Sequence, residues 1–132
     1  SNVQNVVDFK TQTERLALLS NTLETKEIKN ISITERGIQH IITIDSIIAI
    51  EAQESYCYIH TASKKYMVSK NLKSFETMFE SLPHFVRVHK SWVINIHQMI
   101  NYSKSELIIN LTNGIVAKLS KYKKAEFEDL VI

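Results

Sequence analysis

The spacing of the hydrophobic positions changes near residue 28. Upstream of that point, Leu16, Leu19 and Leu23 recur at helical spacing with polar residues between them, which predicts an amphipathic helix. One apolar stripe does not stabilise an isolated helix in water, so this helix needs a surface to pack on. That surface is either the same domain or a second module or subunit. On the second alternative, residues 1–27 form a linker or dimerisation helix and residues 28–132 form a separate domain, and we adopt this division.

Downstream, apolar and polar residues alternate, which is the pattern of half-buried β-strands. Short strands are predicted over residues 28–34, 38–44, 47–50, 56–61 and 66–69. Polar turns separate them at Arg36-Gly37, at Asp45-Ser46, over residues 51–55 and over residues 63–65. Strands this short and this closely spaced predict an antiparallel meander rather than strands that alternate with helices.

The second half of the chain combines helices with a hairpin. Asn71 is predicted to cap a helix that Pro83 ends. The apolar face of that helix consists of Leu72, Phe75, Phe79 and Leu82. Asn113-Gly114 is a strong hairpin signal and predicts a turn between strands at 107–111 and 115–119. The pattern assigns no class to residues 97–102. A closing helix follows, with Ser120 as its cap and an apolar side of Phe127, Leu130 and Val131.

Composition places the chain among single-domain globular proteins. Its 132 residues are 44% hydrophobic and 23% charged, with only two glycines and one proline. No apolar run approaches the ~20 residues of a membrane-spanning helix, and no secretory signal is present. Cys57 is the single cysteine, so no internal disulfide can form, which suits a reducing compartment. We expect a cytoplasmic protein in which Cys57 is a small buried apolar residue.

Positive charge is concentrated toward the C-terminal end. Residues 1–80 carry nine Lys/Arg and ten Asp/Glu, whereas residues 81–125 carry seven Lys/Arg and one Glu. This segregation says more than the formal net charge of +2 and indicates an anionic partner. A solvated surface face is the alternative interpretation.

The most distinctive stretch is FVRVHKSWVIN at residues 85–95. Apolar, β-favouring residues flank a polar centre without a carboxylate. The hydrogen-bonding side chains of this centre are Arg87, His89, Lys90 and Ser91. A loop of donors held between two strands predicts binding of an anion.

A second basic cluster lies at the predicted start of the closing helix. Lys121, Lys123 and Lys124 follow Ser120, at positions where cations oppose the helix dipole by typically ~0.3–1 kcal/mol each. A helix selected for stability alone would carry acids there. The lysines therefore favour the docking of a phosphate, and side chains that simply point into solvent are the alternative.

Several segments, in this order along the chain, resemble the LytTR family of bacterial DNA-binding domains. The resemblance covers roughly residues 28–131 and rests on IIAIEA at 47–52, Ser55-Tyr56, NLK at 71–73, residues 85–95, Asn113-Gly114 and LSK at 119–121. The Arg-x-His-Lys-Ser-aromatic-x-x-Asn core within residues 85–95 is the most specific of these segments.

The resemblance implies a mainly β fold of elongated antiparallel sheets with one short internal helix and a C-terminal helix. This chain would add the N-terminal helix. The implied function is transcription regulation, often as the output domain of a two-component response regulator whose receiver or sensor domain lies upstream. Family members insert loops into successive major grooves of double-stranded DNA, commonly at paired direct repeats. No enzymatic activity, cofactor, metal or membrane contact is implied.

Family contacts carry over to three segments, which are Ser55-Tyr56, Lys90 after His89, and Lys121 after Ser120. The third position is often Arg in the family, and Lys favours a phosphate or single-bond contact over a bidentate guanine contact. With the donors and lysines above, the predicted DNA-binding residues are Ser55, Tyr56, Arg87, His89, Lys90, Ser91, Lys121, Lys123 and Lys124.

Three residues of the distinctive stretch have structural interpretations. His89 either contacts DNA or hydrogen-bonds the loop backbone and holds Lys90 in place. Asn95 is expected to satisfy free backbone groups at a strand end. Trp92 is expected to anchor the core.

A catalytic or metal-binding role finds little support in the sequence. The spacing of His84, His89 and His97 does not suit a metal site, and no cysteine or paired acids lie near them. Cys57 and His60 are predicted to point to opposite faces of one strand. Two glycines do not provide a glycine-rich phosphate loop.

Two non-catalytic alternatives remain. Binding of RNA or single-stranded DNA requires aromatic rings on the basic face, whereas Tyr56, Tyr58 and Tyr66 lie outside the basic segment. An interaction module that pairs subunits through the N-terminal helix would not bind nucleic acid at all.

Overall fold

The computed structural model describes residues 28–131, which form three antiparallel sheets and two α-helices. The strands are β1 (Asn30–Glu35), β2 (Ile38–Thr43), β3 (Ile47–Gln53), β4 (Tyr56–Thr61), β5 (Lys65–Val68), β6 (Phe85–His89), β7 (Trp92–Asn95), β8 (Met99–Ser103), β9 (Ile108–Leu111) and β10 (Val116–Lys118). The helices are α1 (Leu72–Met78) and α2 (Lys124–Val131). Short 3-10 turns are formed by Ile44–Ser46, Ile96–Gln98 and Thr112–Gly114. The predicted N-terminal helix lies outside the described residues.

A central five-stranded sheet, in the order β5-β4-β3-β7-β6, is covered on both faces. Ile47 to Ile50 of β3 are all fully buried, as expected for a continuous apolar run. Ile50 belongs to a first core cluster that includes residues of the β1–β2 hairpin and α1. Ile48 and Ala49 belong to a second core cluster that includes residues of the β8–β9–β10 sheet and α2. The predicted mainly β, antiparallel fold is confirmed. Its sheets and helices form three layers, with the central sheet in the middle.

The first helix is confirmed at its start and corrected at its end. The Asn71 Oδ1 accepts a hydrogen bond from the Ser74 backbone N–H at 2.9 Å, which caps α1 as predicted. The helix ends at Met78, so Pro83 is not its terminator. Tight turns carry the chain onward, and Phe79 and Leu82 still reach the first core cluster. The apolar pattern therefore predicted the buried face correctly but overestimated the helix length.

The predicted polar break over residues 51–55 is wrong for its first three residues. β3 continues to Gln53, and Glu51 lies opposite both Tyr58 and Trp92. The Glu51 carboxylate accepts a hydrogen bond from Gln53 at 2.8 Å and contacts the His60 Nε2 at 3.1 Å. These partners satisfy polar side chains within the sheet, and only Glu54 and Ser55 form the turn.

Residues 97–102, to which the sequence pattern assigned no class, contribute to a 3-10 turn and to β8. The prediction that Leu130 lies on the apolar side of the closing helix is wrong, since Leu130 is 53% exposed, although Phe127 is buried as predicted.

Cys57 is buried in the first core cluster as expected, and burial raises the pKa of its thiol. Within residues 28–131, no helix is long and apolar enough to cross a membrane.

Asn95 connects the central sheet to the following turn and is itself 1% exposed. Its Nδ2 donates to the backbone oxygen of Ile47 at 2.9 Å, and its Oδ1 accepts from the His97 backbone N–H at 2.9 Å. The predicted structural role of Asn95 is confirmed.

Replacement of Asn95 by alanine should destabilise the domain, because the buried Ile47 carbonyl would lose its hydrogen-bond donor. We expect a loss of about 1–3 kcal/mol in urea unfolding followed by circular dichroism. Asn110→Ala is the matched control, since that side chain bonds Asn101 at the surface and should contribute less than about 0.5 kcal/mol. Equal losses in the two variants would contradict the role assigned to Asn95.

Candidate nucleic-acid interface

Two tight turns lie side by side at one end of the central sheet. Glu54-Ser55 joins β3 to β4, and Lys90-Ser91 joins β6 to β7. Because β3 and β7 are antiparallel neighbours, the end of β3 lies beside the start of β7. The Ala52 backbone N–H donates to the backbone oxygen of Ser91 at 2.8 Å. The structure thus brings together the first two predicted contact segments, which are distant in sequence.

The third predicted segment, residues 120–123, lies at the same end. The Ser120 backbone N–H donates to the backbone oxygen of Val88 at 2.8 Å, which fixes this segment against β6. We call the end of the central sheet that carries Glu54-Ser55, Lys90-Ser91 and residues 120–123 the loop end. Between its second and third segments lies an open groove of about 350 Å³, lined by Glu76, Arg87, His89, Lys90, Ser120, Tyr122 and Lys123.

The Arg87 side chain holds the Lys90-Ser91 turn from inside the protein. Its Nε donates to the backbone oxygen of His89 at 3.1 Å, and its second terminal nitrogen donates to the backbone oxygen of Lys90 at 2.8 Å. Its first terminal nitrogen forms an ion pair with Glu76 of α1 at 2.6 Å. The loop predicted for residues 87–91 is therefore wrong for Arg87 and His89, which belong to β6, and the inward-directed donors of Arg87 support a positioning role.

His89 is hydrogen-bonded to the same turn. Its Nδ1 accepts a hydrogen bond from the Ser91 backbone N–H at 3.1 Å, so the neutral ring carries its proton on Nε2. Burial lowers the pKa of His89, and the positive charges of Lys118, Lys90 and Arg87 add to this effect. Of the two interpretations of His89, the geometry favours the brace.

The predicted contact lysines remain available to a partner. Lys90 and Lys121 are exposed, and Lys123 and Lys124 are half-buried. Within residues 28–131, none of these four lysines forms an ion pair with an acid. In the first segment Ser55 is exposed and Tyr56 is half-buried, and in the second segment Ser91 is half-buried.

The predicted cap of the closing helix is wrong. α2 begins at Lys124, and the Ser120 Oγ instead accepts a hydrogen bond from the Tyr122 backbone N–H at 3.1 Å. A serine hydroxyl can close a turn with its own backbone two residues further on, and here that turn delays the helix. Lys121 and Lys123 therefore belong to the turn, and only Lys124 lies in the first helical turn.

Tyr122 is a candidate contact that the sequence analysis missed. It is 86% exposed, lines the groove and lies with its ring centroid 5.3 Å from the Lys121 Nζ. Its position between Lys121 and Lys123 was the available signal, since an aromatic residue within a basic segment suits nucleic-acid binding.

The other tyrosine rings are less accessible. The Lys65 Nζ lies 4.3 Å from the Tyr58 ring centroid, and the Lys64 Nζ lies 4.5 Å from the Tyr66 ring centroid. A lysine therefore occupies one face of each ring. This arrangement disfavours the stacking of bases on β4 and β5.

The three histidines considered for a metal site do not converge. His84 and His97 stack with ring centroids 4.3 Å apart, before β6 and after β7, at the end of the sheet opposite His89. Across residues 28–131 no group of three or more His, Cys, Asp or Glu side chains is arranged to hold a metal ion.

Comparison with known proteins identifies the fold family. The family model of the LytTr DNA-binding domain matches residues 38–131, well over half of the chain. The chain belongs to the LytTR family. The predicted resemblance is thereby confirmed, and with it a DNA-binding domain of the kind used in transcription regulation.

Structural comparison agrees with this assignment. The LytTR chain is similar to a solved LytTr DNA-binding domain of a response regulator from Bacillus cereus, with a TM-score of 0.70. Sequence identity is 16%, and the match covers 80% of this chain and 98% of the other. At this identity the likeness is one of fold. A search among curated protein sequences gave no match.

Protonation of His89 should destabilise this LytTR domain. The pKa of His89 is lowered from its ordinary value of 6.5, so the unfolded chain binds a proton at higher pH than the folded domain. Stability is therefore present above about pH 6.5 and is lost as the pH falls through the lowered pKa. Urea unfolding at a series of pH values should reveal this loss.

The control is His89→Asn, which retains an acceptor oxygen near the Nδ1 position but does not titrate. The difference between wild type and variant removes the contribution of all other titrating groups. We expect the wild type to lose more stability toward acid pH than the variant. Parallel curves would show that protonation of His89 does not affect folding.

Proposed function

We propose that this LytTR domain recognises specific duplex DNA sequences through its loop end. The observation that carries the proposal is the convergence of three segments at one end of a rigid sheet, with Lys90 and Lys121 exposed and without an acid partner within residues 28–131. Cations in this arrangement attract the phosphates of a nucleic acid. Each segment has a different part in the proposal.

The Lys90-Ser91 turn is proposed to read bases in a major groove. Arg87 and His89 already hold this turn, so little conformational freedom remains to be lost when DNA binds. The Lys90 ammonium group can donate to guanine N7 and O6, and a good base contact discriminates by about 1–3 kcal/mol. In this assignment Arg87 and His89 act through the turn, which they position.

The third segment is proposed to bind the phosphate backbone. Lys121, Lys123 and Lys124 are compact charges on flexible stems, suited to phosphate rather than to bidentate base contacts. Tyr122 lies among them and exposes a hydroxyl group and a ring face. These side chains would fix the position of the domain on the duplex.

The first segment is proposed to make the remaining contacts. Ser55 and Tyr56 carry hydroxyl groups, which can bond either base edges or phosphates. Their turn lies beside the Lys90-Ser91 turn, as loops entering the DNA from one end of a sheet require. We infer that the loop end spans successive major grooves.

Duplex DNA is favoured over single-stranded nucleic acid by the tyrosine environment. Lysine side chains lie over the half-buried Tyr58 and Tyr66 rings, and Lys121 lies over the Tyr122 ring, which is the one exposed tyrosine of the loop end. A platform for several successive bases needs a row of free rings. Equal affinity for single-stranded and duplex DNA would overturn this preference.

We further propose that the domain is the output part of a two-component response regulator, with a receiver or sensor domain upstream. Residues 1–27 would join that module to the LytTR domain or pair two subunits. Two copies bound side by side would suit paired direct repeats in the operator.

Lys90→Ala should reduce affinity for the cognate duplex far more than affinity for a scrambled duplex, because the lost contact reads a base. The cognate sequence is obtained by selection from random duplex DNA, and binding is measured by fluorescence anisotropy at one salt concentration. Since Lys90 is exposed, the melting temperature should stay nearly unchanged. Equal losses on both duplexes would make Lys90 a phosphate contact.

Lys123→Ala provides the contrasting variant for this experiment. Loss of a phosphate contact should weaken cognate and scrambled binding alike and flatten the plot of log K against log salt by roughly 0.9. An unchanged salt slope would remove Lys123 from the interface.

Removal of residues 1–27 should leave the LytTR domain folded, because the two core clusters lie within the described residues. A cooperative thermal transition and retained duplex binding are expected for residues 28–132. Loss of the cooperative transition would show that the upstream segment is part of the fold.

A further inference from the structure

A basic segment that contains Lys70 and Lys73 also reaches the loop end, on the face of the central sheet opposite residues 120–124. β5 is antiparallel to β4, and Val68 lies opposite Cys57. Because β4 begins at the loop end, β5 finishes there, and the chain leaves the sheet beside the Glu54-Ser55 turn. The connection to α1 therefore starts at the loop end and carries Lys70.

The direction of α1 keeps its first turn at the same end. Glu76 pairs with Arg87 near the end of β6, whereas Phe79 stacks on Phe85 at the start of β6, with ring centroids 4.4 Å apart. α1 thus runs antiparallel to β6, away from the loop end. Lys73 precedes Glu76 by three residues and lies on the same side of the helix, about one turn nearer the loop end.

Lys70 and Lys73 are available to a ligand. Both are exposed, and within residues 28–131 neither forms an ion pair or a hydrogen bond through its side chain. Two other exposed lysines are paired, since Lys64 lies 3.7 Å from Glu35 and Lys104 lies 3.9 Å from Glu128. Two free cations, Lys70 after β5 and Lys73 in the first turn of α1, therefore extend the positive surface of the loop end.

The segment with Lys70 and Lys73 and the segment of residues 120–124 lie on opposite faces of the central sheet. Leu72 and Phe75 bring α1 to the first core cluster, whereas Leu119 and Phe127 bring residues 120–124 to the second. Packed layers lie about 10 Å apart, so the lysines on either side flank the turn at the sheet end. A major groove about 12 Å wide likewise has one phosphate backbone on each side.

We propose that Lys70 and Lys73 form a fourth DNA-contacting segment, which binds the phosphate backbone opposite the one bound by Lys121, Lys123 and Lys124. This inference rests on the proposed function, because it assumes that the Lys90-Ser91 turn enters the groove. The central sheet then meets the duplex edge-on, with each of its two faces supplying cations to one DNA strand. In this arrangement a single domain contacts both phosphate backbones of the duplex instead of one.

The experiment compares the salt dependence of duplex binding for the Lys70→Ala/Lys73→Ala double variant and for the 132-residue wild type. The probe is a duplex obtained by selection from random sequences. Loss of two phosphate contacts should flatten the slope of log K against log salt by about 1.8, which is 0.9 for each contact. Both residues are exposed, so an unchanged thermal transition will confirm that the variant is folded.

Lys64→Ala is the control, because it removes the same charge from an exposed lysine in the β4–β5 turn at the opposite end of β5. Its slope should remain close to that of the wild type. If the double variant behaves like this control while Lys123→Ala still flattens the slope, the inference fails and the proposed function stands. If the wild type shows no salt-dependent duplex binding, both fail.

Ethylation of single phosphates tests which backbone each segment contacts. Positions whose ethylation weakens wild-type binding should form two groups, one on each side of the groove. The double variant should lose sensitivity in one group, and Lys123→Ala should lose sensitivity in the other. Loss of the same group in both variants would overturn the assignment to opposite backbones.

Discussion

The pairing of β3 with β7 is the contact on which the rest of the structure depends. Ala49, Ile50 and Glu51 lie opposite Ile94, Val93 and Trp92, respectively, and all but Glu51 are buried. This pairing joins two hairpins that are separated in the chain by β5 and α1. Its residues contribute to both core clusters, and the pairing also places the two tight turns side by side. Stability and the geometry of the loop end therefore have a common origin.

Rigidity of the Lys90-Ser91 turn follows from side chains rather than from backbone pairing alone. Arg87 bonds two carbonyl oxygens of the turn, and His89 accepts from the Ser91 N–H. The ion pair between Arg87 and Glu76 ties this bracing to α1. Because the guanidinium group is satisfied within the protein, Lys90 is the cation of this turn that remains open to a partner. A held turn can present a charge without the entropic cost of ordering it on binding.

The distribution of charge differs between the chain and the fold. Along the chain, residues 81–125 carry the excess of Lys and Arg, and residues 1–80 are close to neutral. In the fold, Lys70 and Lys73 from the neutral part lie at the same end of the sheet as Lys90 and Lys121. Among the acids of residues 1–80, Glu35 and Glu76 are paired, and within residues 28–131 Glu54 lies at the loop end as a single exposed acid among these lysines. A linear count of charge therefore underestimates the positive surface that a partner meets.

The sequence by itself determined what depends on neighbouring residues. Alternating apolar positions predicted most of the strands, Asn71 predicted the start of α1, and the order of short segments identified the LytTR family. Predictions failed at element ends, where Pro83 and Ser120 were assigned local roles that turns and packing override. Sequence alone also left open whether His89 contacts a ligand or braces its loop. The tertiary structure supplied the hydrogen bond by which His89 braces the turn, the pairing of Arg87 with Glu76 and the convergence of the basic segments at one end of the sheet. Each of these depends on contacts between residues distant in the chain, and strand order and register, which set those contacts, are not encoded in local periodicity.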